Sequence, residues 1–493
     1  MTGAELLVRC LENEGLEYMF GVPGEENLAV LDALLDSRIR FLQTRHEQGA
    51  AFMADVQGRL TGKASACLAT LGPGATNALT GVADANIDRA PLVAITGQAG
   101  TERFHKESHQ YLDLVALFRP AVKWNVQVVR LEVVPEAVRK AFKVAQTEKP
   151  GATHLDLPED VANAQAPSGL EPLIRQQPFP TEPLDPQVER AARIISQARD
   201  PIVLAGNGVI RGRAAEALRR FAEILGIPVV ETFMAKGSLP AAHPLSLGAV
   251  GLQERDYLSC GLDRADVVVC VGVDLVEYAP ARWNPRGDKQ IVHIDPSPAE
   301  VDSAYQVAVG VQGAIAASLV RIAERTSGRA GPHHVRRAGA LREIIGNQFD
   351  AEAEDDAFPV KPQRLVRALR EALGDDDILI SDVGAHKLWI ARMYPCARPN
   401  TCIVSNGFAS MGIALPGAIG AKLLDPARRV IAACGDGGFL MNVQELETAV
   451  RAATSIVSVV FEDSAYGVIR WKQLKHYGRP AFVDFGNPDF AAL

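Results

Sequence analysis

The chain has 493 residues, which at about 100 to 200 residues per domain points to roughly three domains. Hydrophobic residues make up 47%, charged residues 22% and aromatic residues 6%, an ordinary globular composition that excludes disordered, collagen-like and coiled-coil chains. With 51 Lys plus Arg against 59 Asp plus Glu the net charge is -8, which offers no general attraction to nucleic acid or an anionic membrane.

The N-terminal stretch MTGAELLVRCLENEGLEYMF carries Glu5, Glu12 and Glu14 among its apolar positions, so it lacks the basic start and continuous apolar core of a signal peptide. No run reaches the about 18 apolar residues of a membrane span. The cysteines, Cys10, Cys67, Cys260, Cys270, Cys396, Cys402 and Cys434, are odd in number and contain no Cys-x-x-Cys pair. They read as buried thiols in a reducing cytoplasm.

From there the pattern is repetitive. Short apolar runs, all but QIVHID with glycine at or near the end, are each followed by a helix-like stretch: SACLATLGPG (65–74), PLVAITG (91–97), PIVLAGNG (201–208), ADVVVCVGVD (265–274), QIVHID (290–295), DILISDVG (377–384) and RVIAACGDGG (429–438). Unbroken Val/Ile/Leu runs between helical patterns predict parallel strands buried on both faces, hence an α/β class throughout. In RAAEALRRFAEILG (213–226), Ala214, Ala217, Leu218, Phe221, Ile224 and Leu225 form one stripe and Gly226 stops the helix. Two segments break the rhythm, the proline-rich 166–186 and 326–362, where a basic stretch precedes AEAEDD. Read as linkers, they divide the chain into modules 1–165, 187–325 and 363–493.

Four stretches invite a chemical reading. In RHEQGAAFMADVQGRLTGK (45–63), Glu47 opens an alanine-rich helix, either as a solvated dipole partner or as a carboxylate desolvated against the GAAFMA wall. In GDGGFLMNVQELETAV (435–450), a buried strand ends in Gly-Asp-Gly-Gly, where backbone N–H groups can approach an anion and Asp436 presents a carboxylate at the strand's C-terminal end. Asp436 either caps the next helix or, with Asp463 at the end of the following strand in SIVSVVFEDSAYGVI (455–469), suits a Mg²⁺ that holds phosphate oxygens. GNGVIRG (206–212) has Arg211 where a dinucleotide fingerprint has its third glycine, so it reads as a Rossmann-like structural module. GRLTGKAS (58–65) resembles a phosphate loop, but its glycine spacing is one residue short and Ala64 follows the lysine.

Together the GDG signature with Asp463, the RHEQGAAFMA segment, GVPG (21–24) and TLGPGATNALTGVADA (70–85) resemble the thiamine diphosphate enzymes of the acetolactate synthase group, in the family's motif order and over the whole chain. The resemblance implies three doubly wound parallel-sheet domains: pyrimidine-binding (1–165), Rossmann-like (187–325) and diphosphate- and Mg²⁺-binding (363–493). Glu47 would hydrogen-bond the pyrimidine N1′ and drive general acid/base work through the cofactor. Asp436, Asp463 and the Ala465 carbonyl would hold Mg²⁺, and Gly384, Ala385, His386, Gly435, Gly437 and Gly438 would surround the diphosphate. Met411, otherwise ordinary core, would prop the cofactor into its bent form, with the Ala409 carbonyl accepting the 4′-amino group. Pro73, Asn77 and Tyr466 join the cofactor-binding positions, and Gly21 the catalytic ones. In HKESHQYLDL (105–114), Lys106, His109 and Gln110 are candidate substrate-side groups, with a solvated loop as the other reading of Lys106.

Departures from the family pattern narrow the subtype. Asp463 stands where most members carry Asn, as in the catabolic, pyruvate-only enzymes, and CVGVDLVEYAPARWN (270–284) lacks the Arg-Phe-Asp-Asp-Arg type run of members that bind FAD. No FAD is therefore expected. Lys472 aligns with the tryptophan associated with 2-oxobutyrate preference, although Trp471 is adjacent, which makes pyruvate the expected acceptor. The implied reaction joins two pyruvates into 2-acetolactate with loss of CO₂; the competing reading within the class is a 2-oxo acid decarboxylase. The resemblance further implies a homodimer or homotetramer with the cofactor between subunits, and leaves room for a regulatory small subunit. The family's third domain would continue beyond the closing FGNPDFAAL.

Overall fold

Each glycine-terminated apolar run becomes a parallel strand in the computed structural model, which describes residues 1–176, 181–251, 259–326 and 332–493. The first sheet holds β1 (Tyr18–Gly21), β2 (Arg40–Gln43), β3 (Ser65–Ala69), β4 (Leu92–Gln98), β5 (Trp124–Gln127) and β6 (Ala152–Pro158) in the order β2-β1-β3-β4-β6-β5, all parallel. Alternation along the central strands feeds two cores. Ala66, Leu68, Val93 and Ile95 pack with the helices Gly3–Glu14 and Val134–Gln146. Cys67, Leu92 and Ala94 pack with the helices Glu47–Thr61 and Pro73–Ile87. Apolar cover on both faces explains the unbroken apolar stretches 66–69 of β3 and 92–95 of β4, while the buried Ser65, Thr96 and Gln98 stand at the strand ends.

A second sheet comprises β7 (Pro201–Ala205), β8 (Val229–Glu231), β9 (Ser246–Ala249), β10 (Val267–Val271), β11 (Gln290–Asp295) and β12 (Val307–Gln312), ordered β12-β11-β10-β7-β8-β9. Counted within this sheet, the order is that of dinucleotide-binding folds, with β7 and β10 flanking the point where it reverses. The helix expected over 213–226 spans Ala215–Leu225 and ends at Gly226 with φ +66°. Its buried stripe is Leu218, Phe221, Ala222 and Leu225; Ile224, expected in that stripe, is 49% exposed, because Ala222 faces the sheet in its place.

The expected linker 326–362 departs from expectation: it contains the helix Pro332–Ala353. Ala338 is buried there, and Leu341 and Ile345 pack against the same side of the second sheet, a helical stripe hidden among Arg and Glu. The segment 166–184 has no helix or strand among its described residues.

Toward the C-terminus, β13 (Ile378–Ser381) pairs in parallel with β14 (Cys402–Val404), and β15 (Val430–Gly435) in parallel with β16 (Val457–Phe461). Contacts group Met1–Pro178 with Gly407–Leu493 in one compact unit and Phe179–Asn406 in another. Within the first unit the helix Glu47–Thr61 lies on the helix Ala414–Leu424. Gln57 Nε2 donates to the Gly420 carbonyl at 3.0 Å, and a Cβ on Gly420 would come within 2.7 Å of the Met53 carbonyl oxygen. No described helix is long and apolar enough to cross a membrane. Six of the cysteines are free and buried; the side chain of Cys260 lies outside the described residues.

Candidate active site

Glu47 begins its helix as predicted, with His46 as the cap: His46 Nδ1 accepts the Gln48 N–H at 3.1 Å. The Glu47 side chain is buried, and Asn77 Nδ2 donates to Glu47 Oε2 at 3.0 Å from the neighbouring helix Pro73–Ile87. Gly74 keeps that side open, since a Cβ there would sit 3.2 Å from Glu47 Oε1. A residue that sequence reasoning did not single out holds the turn itself. Glu445 Oε1 accepts the Arg45 N–H at 3.1 Å and the His46 N–H at 3.0 Å, satisfying amides at the start of the Glu47 helix. Burial pushes the Glu445 carboxyl above its ordinary value, against the pull of its hydrogen bonds to Thr448, Arg45 and His46.

Around this carboxylate the other first-domain positions divide. Pro73 opens the helix that carries Asn77, and the Gln110 carbonyl oxygen lies 2.6 Å from where a Gly72 Cβ would be, so Gln110, itself at φ +56°, adjoins the Gly72–Pro73 turn. Lys106 and His109 are exposed on the same segment. Arg103, also unforeseen, ties that segment down through Ser108 Oγ at 2.7 Å and the His109 carbonyl at 3.0 Å. Gly21 ends β1, where a Cβ would collide with the Leu68 carbonyl oxygen of β3 at 2.2 Å; its local role is close strand packing.

A second cluster of the same unit forms where β15 and β16 end. Gly435 closes β15, and Asp436, almost fully buried, accepts the Gly437 N–H at 2.8 Å through Oδ1. Its Oδ2 accepts the Asp463 N–H at 3.2 Å, the Ser464 N–H at 2.7 Å and Asn487 Nδ2 at 2.9 Å. The two carboxylates therefore occupy one sheet edge, one crossover apart. Partial burial and then the Asp436 charge push the Asp463 carboxyl above its ordinary value. The Ala465 carbonyl follows in the chain and accepts the Gly467 N–H at 3.0 Å. Tyr466 covers the glycines: a Cβ on Gly437 would lie 2.8 Å from its ring. Gly438 is buried in the same short helix, Asp436–Phe439.

This cluster fits a divalent cation with phosphate. Two neighbouring carboxylates suit the charge of a divalent ion, and Asn487 Oδ1, buried beside Asp436, has no hydrogen-bond partner among the described residues. The Asn487 contribution was not legible, because it comes from a loop that sequence order puts well after both strands.

Between them in sequence lies the loop 407–412. Ala409 takes φ +58° and Gly412 φ +91°, with Met411 half-buried between. Asn442 Nδ2 donates to the Gly412 carbonyl at 2.9 Å. In the other unit, Gly384 caps the helix Ala385–Met393, and its missing Cβ leaves room for the buried ring of His386, which would be 2.9 Å away.

Comparison with known proteins decides the kinship. Residues 1–117 match the N-terminal TPP binding domain of thiamine pyrophosphate enzymes, 188–322 their central domain and 382–493 their C-terminal TPP binding domain. The acetolactate synthase of Bacillus subtilis is 37% identical, over 99% of this chain and 86% of its own length. The chain belongs to the thiamine diphosphate-dependent acetolactate synthase family. A catabolic acetolactate synthase of Raoultella terrigena is 36% identical over 99% of this chain and 88% of its own. A probable acetolactate synthase large subunit of Methanocaldococcus jannaschii is 35% identical over 100% and 86%. Within this family the three sets of parallel strands are the N-terminal, central and C-terminal domains of a thiamine pyrophosphate enzyme, as the expected fold class requires.

Proposed function

We infer that this enzyme condenses two molecules of pyruvate to 2-acetolactate and CO₂ by transferring a two-carbon acetaldehyde unit. The observation that carries the reading is Glu47, buried at a helix start and held by Asn77, in a chain related over nearly its full length to acetolactate synthases. When bound, thiamine diphosphate supplies the thiazolium carbon that takes up the acyl unit and its electron pair. Glu47 would share a proton with the pyrimidine N1′, and the Asn77 carboxamide holds the Glu47 carboxylate through Oε2. Met411 would support the bound cofactor, and the Ala409 carbonyl would accept a hydrogen bond from its 4′-amino group.

Asp436, Asp463 and the Ala465 carbonyl hold Mg²⁺, while Gly384, Ala385, His386, Gly435, Gly437, Gly438 and Tyr466 enclose the diphosphate. Lys106 and Gln110 face the substrate from the first domain. The module bounds 1–165, 187–325 and 363–493, the homodimer or homotetramer and the cytoplasmic setting belong to the same reading, the last supported by the six free buried thiols.

An enzyme without FAD is supported by the middle domain. At the reversal point of the second sheet, the Glu277 carboxylate accepts the Asn207 N–H at 3.0 Å and the Asp274 N–H at 3.1 Å, and also the Thr232 hydroxyl. A carboxylate of the protein thus takes the Asn207 and Asp274 amides at these strand ends, which supports the flavin-free reading.

Supplying pyruvate, thiamine diphosphate and Mg²⁺ to the purified chain tests the assignment. Acetolactate is expected as the main product; net acetaldehyde would identify a decarboxylase instead. Flavin absorbance in the purified protein would overturn the flavin-free reading. Glu47→Gln is expected to abolish carboligation while leaving the fold intact.

A further inference from the structure

Arg59, on the helix that Glu47 opens, is buried among three carboxylates. Its Nε lies 2.6 Å from Asp55 Oδ1, Nη2 2.9 Å from Asp84 Oδ1 and Nη1 2.9 Å from Asp88 Oδ2. The guanidinium side chain is 7% exposed and each carboxylate 0%. One guanidinium faces three buried carboxyl groups, and burial with the Asp88 and Asp55 charges pushes the Asp84 carboxyl well above its ordinary value, so a dry interior tolerates the cluster only with further donors.

Those donors are backbone amides of the loop 407–412. Asp88 Oδ1 accepts the Gly407 N–H at 2.6 Å and the Phe408 N–H at 3.1 Å, and Asp84 Oδ2 accepts the Ser410 N–H at 3.0 Å. The gripped amides flank Ala409, whose φ of +58° lies in the left-handed region that residues with a Cβ disfavour. Beyond Ala409 the chain is held again by Asn442 at the Gly412 carbonyl. At Gly407 a Cβ would stand 2.5 Å from Asp88 Oδ1, so the loop approaches the carboxylate closely only because that residue is glycine.

We propose that Asp84 and Asp88, oriented by Arg59, are positioning residues that clamp the amides on both sides of Ala409 and lock its left-handed backbone, aiming the Ala409 carbonyl at the cofactor's 4′-amino group. The inference rests on the assignment of that carbonyl given above. The loop cannot relax Ala409 without breaking hydrogen bonds to buried charges, which are the strong kind.

The test uses the full chain and two readouts, amide hydrogen exchange over residues 407–410 without cofactor, and the dissociation constant of thiamine diphosphate with Mg²⁺. Asp88→Ala removes the acceptor of two amides. Exchange there should accelerate at least about tenfold and the dissociation constant rise about tenfold to a hundredfold, with KM for pyruvate nearly unchanged. Asp88→Asn keeps the shape and one acceptor oxygen, so it should fold where Asp88→Ala does not and should lie between the two. Adding Ala409→Gly to the Asp88 variant should recover part of the lost affinity, because glycine reaches this φ without strain.

Faster exchange with unchanged cofactor affinity would overturn the proposal, as would no recovery from Ala409→Gly. Slow exchange over 407–410 in a folded Asp88→Ala protein would show that the clamp does not hold the loop. A wild-type chain that binds no thiamine diphosphate would defeat the functional assignment instead, while the exchange data would still report on the clamp.

Discussion

Asn77 Nδ2 donates to Glu47 Oε2 across 3.0 Å, from one helix of the first domain to the next. The bond engages one carboxylate oxygen and leaves Oε1 beside Gly74, where the side chain of any other residue would intrude. Asn77→Ala is expected to lower kcat about tenfold by freeing the carboxylate to rotate. Asn77→Asp should be worse, since it sets a second carboxylate against the first. Steady-state rates on variants with unchanged thermal unfolding check this; equal activity of Asn77→Asp and wild type would refute the orienting role.

Glu445 acts on the same helix from its backbone side. Replacing it by Ala leaves the Arg45 and His46 amides without their acceptor and is expected to cost about 1 to 2 kcal/mol. Glu445→Gln, which keeps an acceptor oxygen, should cost less. Urea unfolding of the three proteins makes the comparison, and an Ala variant as stable as wild type would show that the cap contributes nothing.

In the middle domain, burial and then the Asp274 charge push the Glu277 carboxyl up to about 7. A folded value above the unfolded one, about 4.3, means that the folded state binds this proton more tightly. The stability it contributes is therefore complete below the unfolded value and lost as pH rises through about 7. Glu277→Gln carries no titrating proton and should flatten that part of the stability profile. Unfolding free energies measured on both sides of the window decide it; parallel profiles for wild type and variant would contradict the prediction.

Chelation of Mg²⁺ is expected to abolish activity, and added Mg²⁺ to restore it. Asp463→Asn removes one of the two charges at the sheet edge, so the half-saturating Mg²⁺ concentration should rise about tenfold while the saturated rate changes little. A titration of activity against Mg²⁺ measures both. A variant that needs no more Mg²⁺ than wild type would place the ion elsewhere.

The strands, their parallel sense and the Gly-Asp-Gly-Gly turn after β15 follow from local patterns. An unbroken apolar run between helical stretches has few ways to bury both faces, and a glycine turn at a strand end has few uses. The helix at Pro332–Ala353 was hidden because its apolar stripe of Ala338, Leu341 and Ile345 is thin beside its charges.

What residue order could not decide is which distant groups meet. Nothing near Asp88 announces Gly407, which is 319 residues away, nor does anything near His46 announce Glu445, 399 residues on. Such bonds exist only once the first and last parts of the chain pack into one unit, because a hydrogen bond acts over about 3 Å and only packing brings these partners that close. Sequence alone determined which carboxylates and glycines are available at the strand ends; tertiary structure decided that Asn77, Glu445, Asp84, Asp88 and Asn487 hold them and their loops in place.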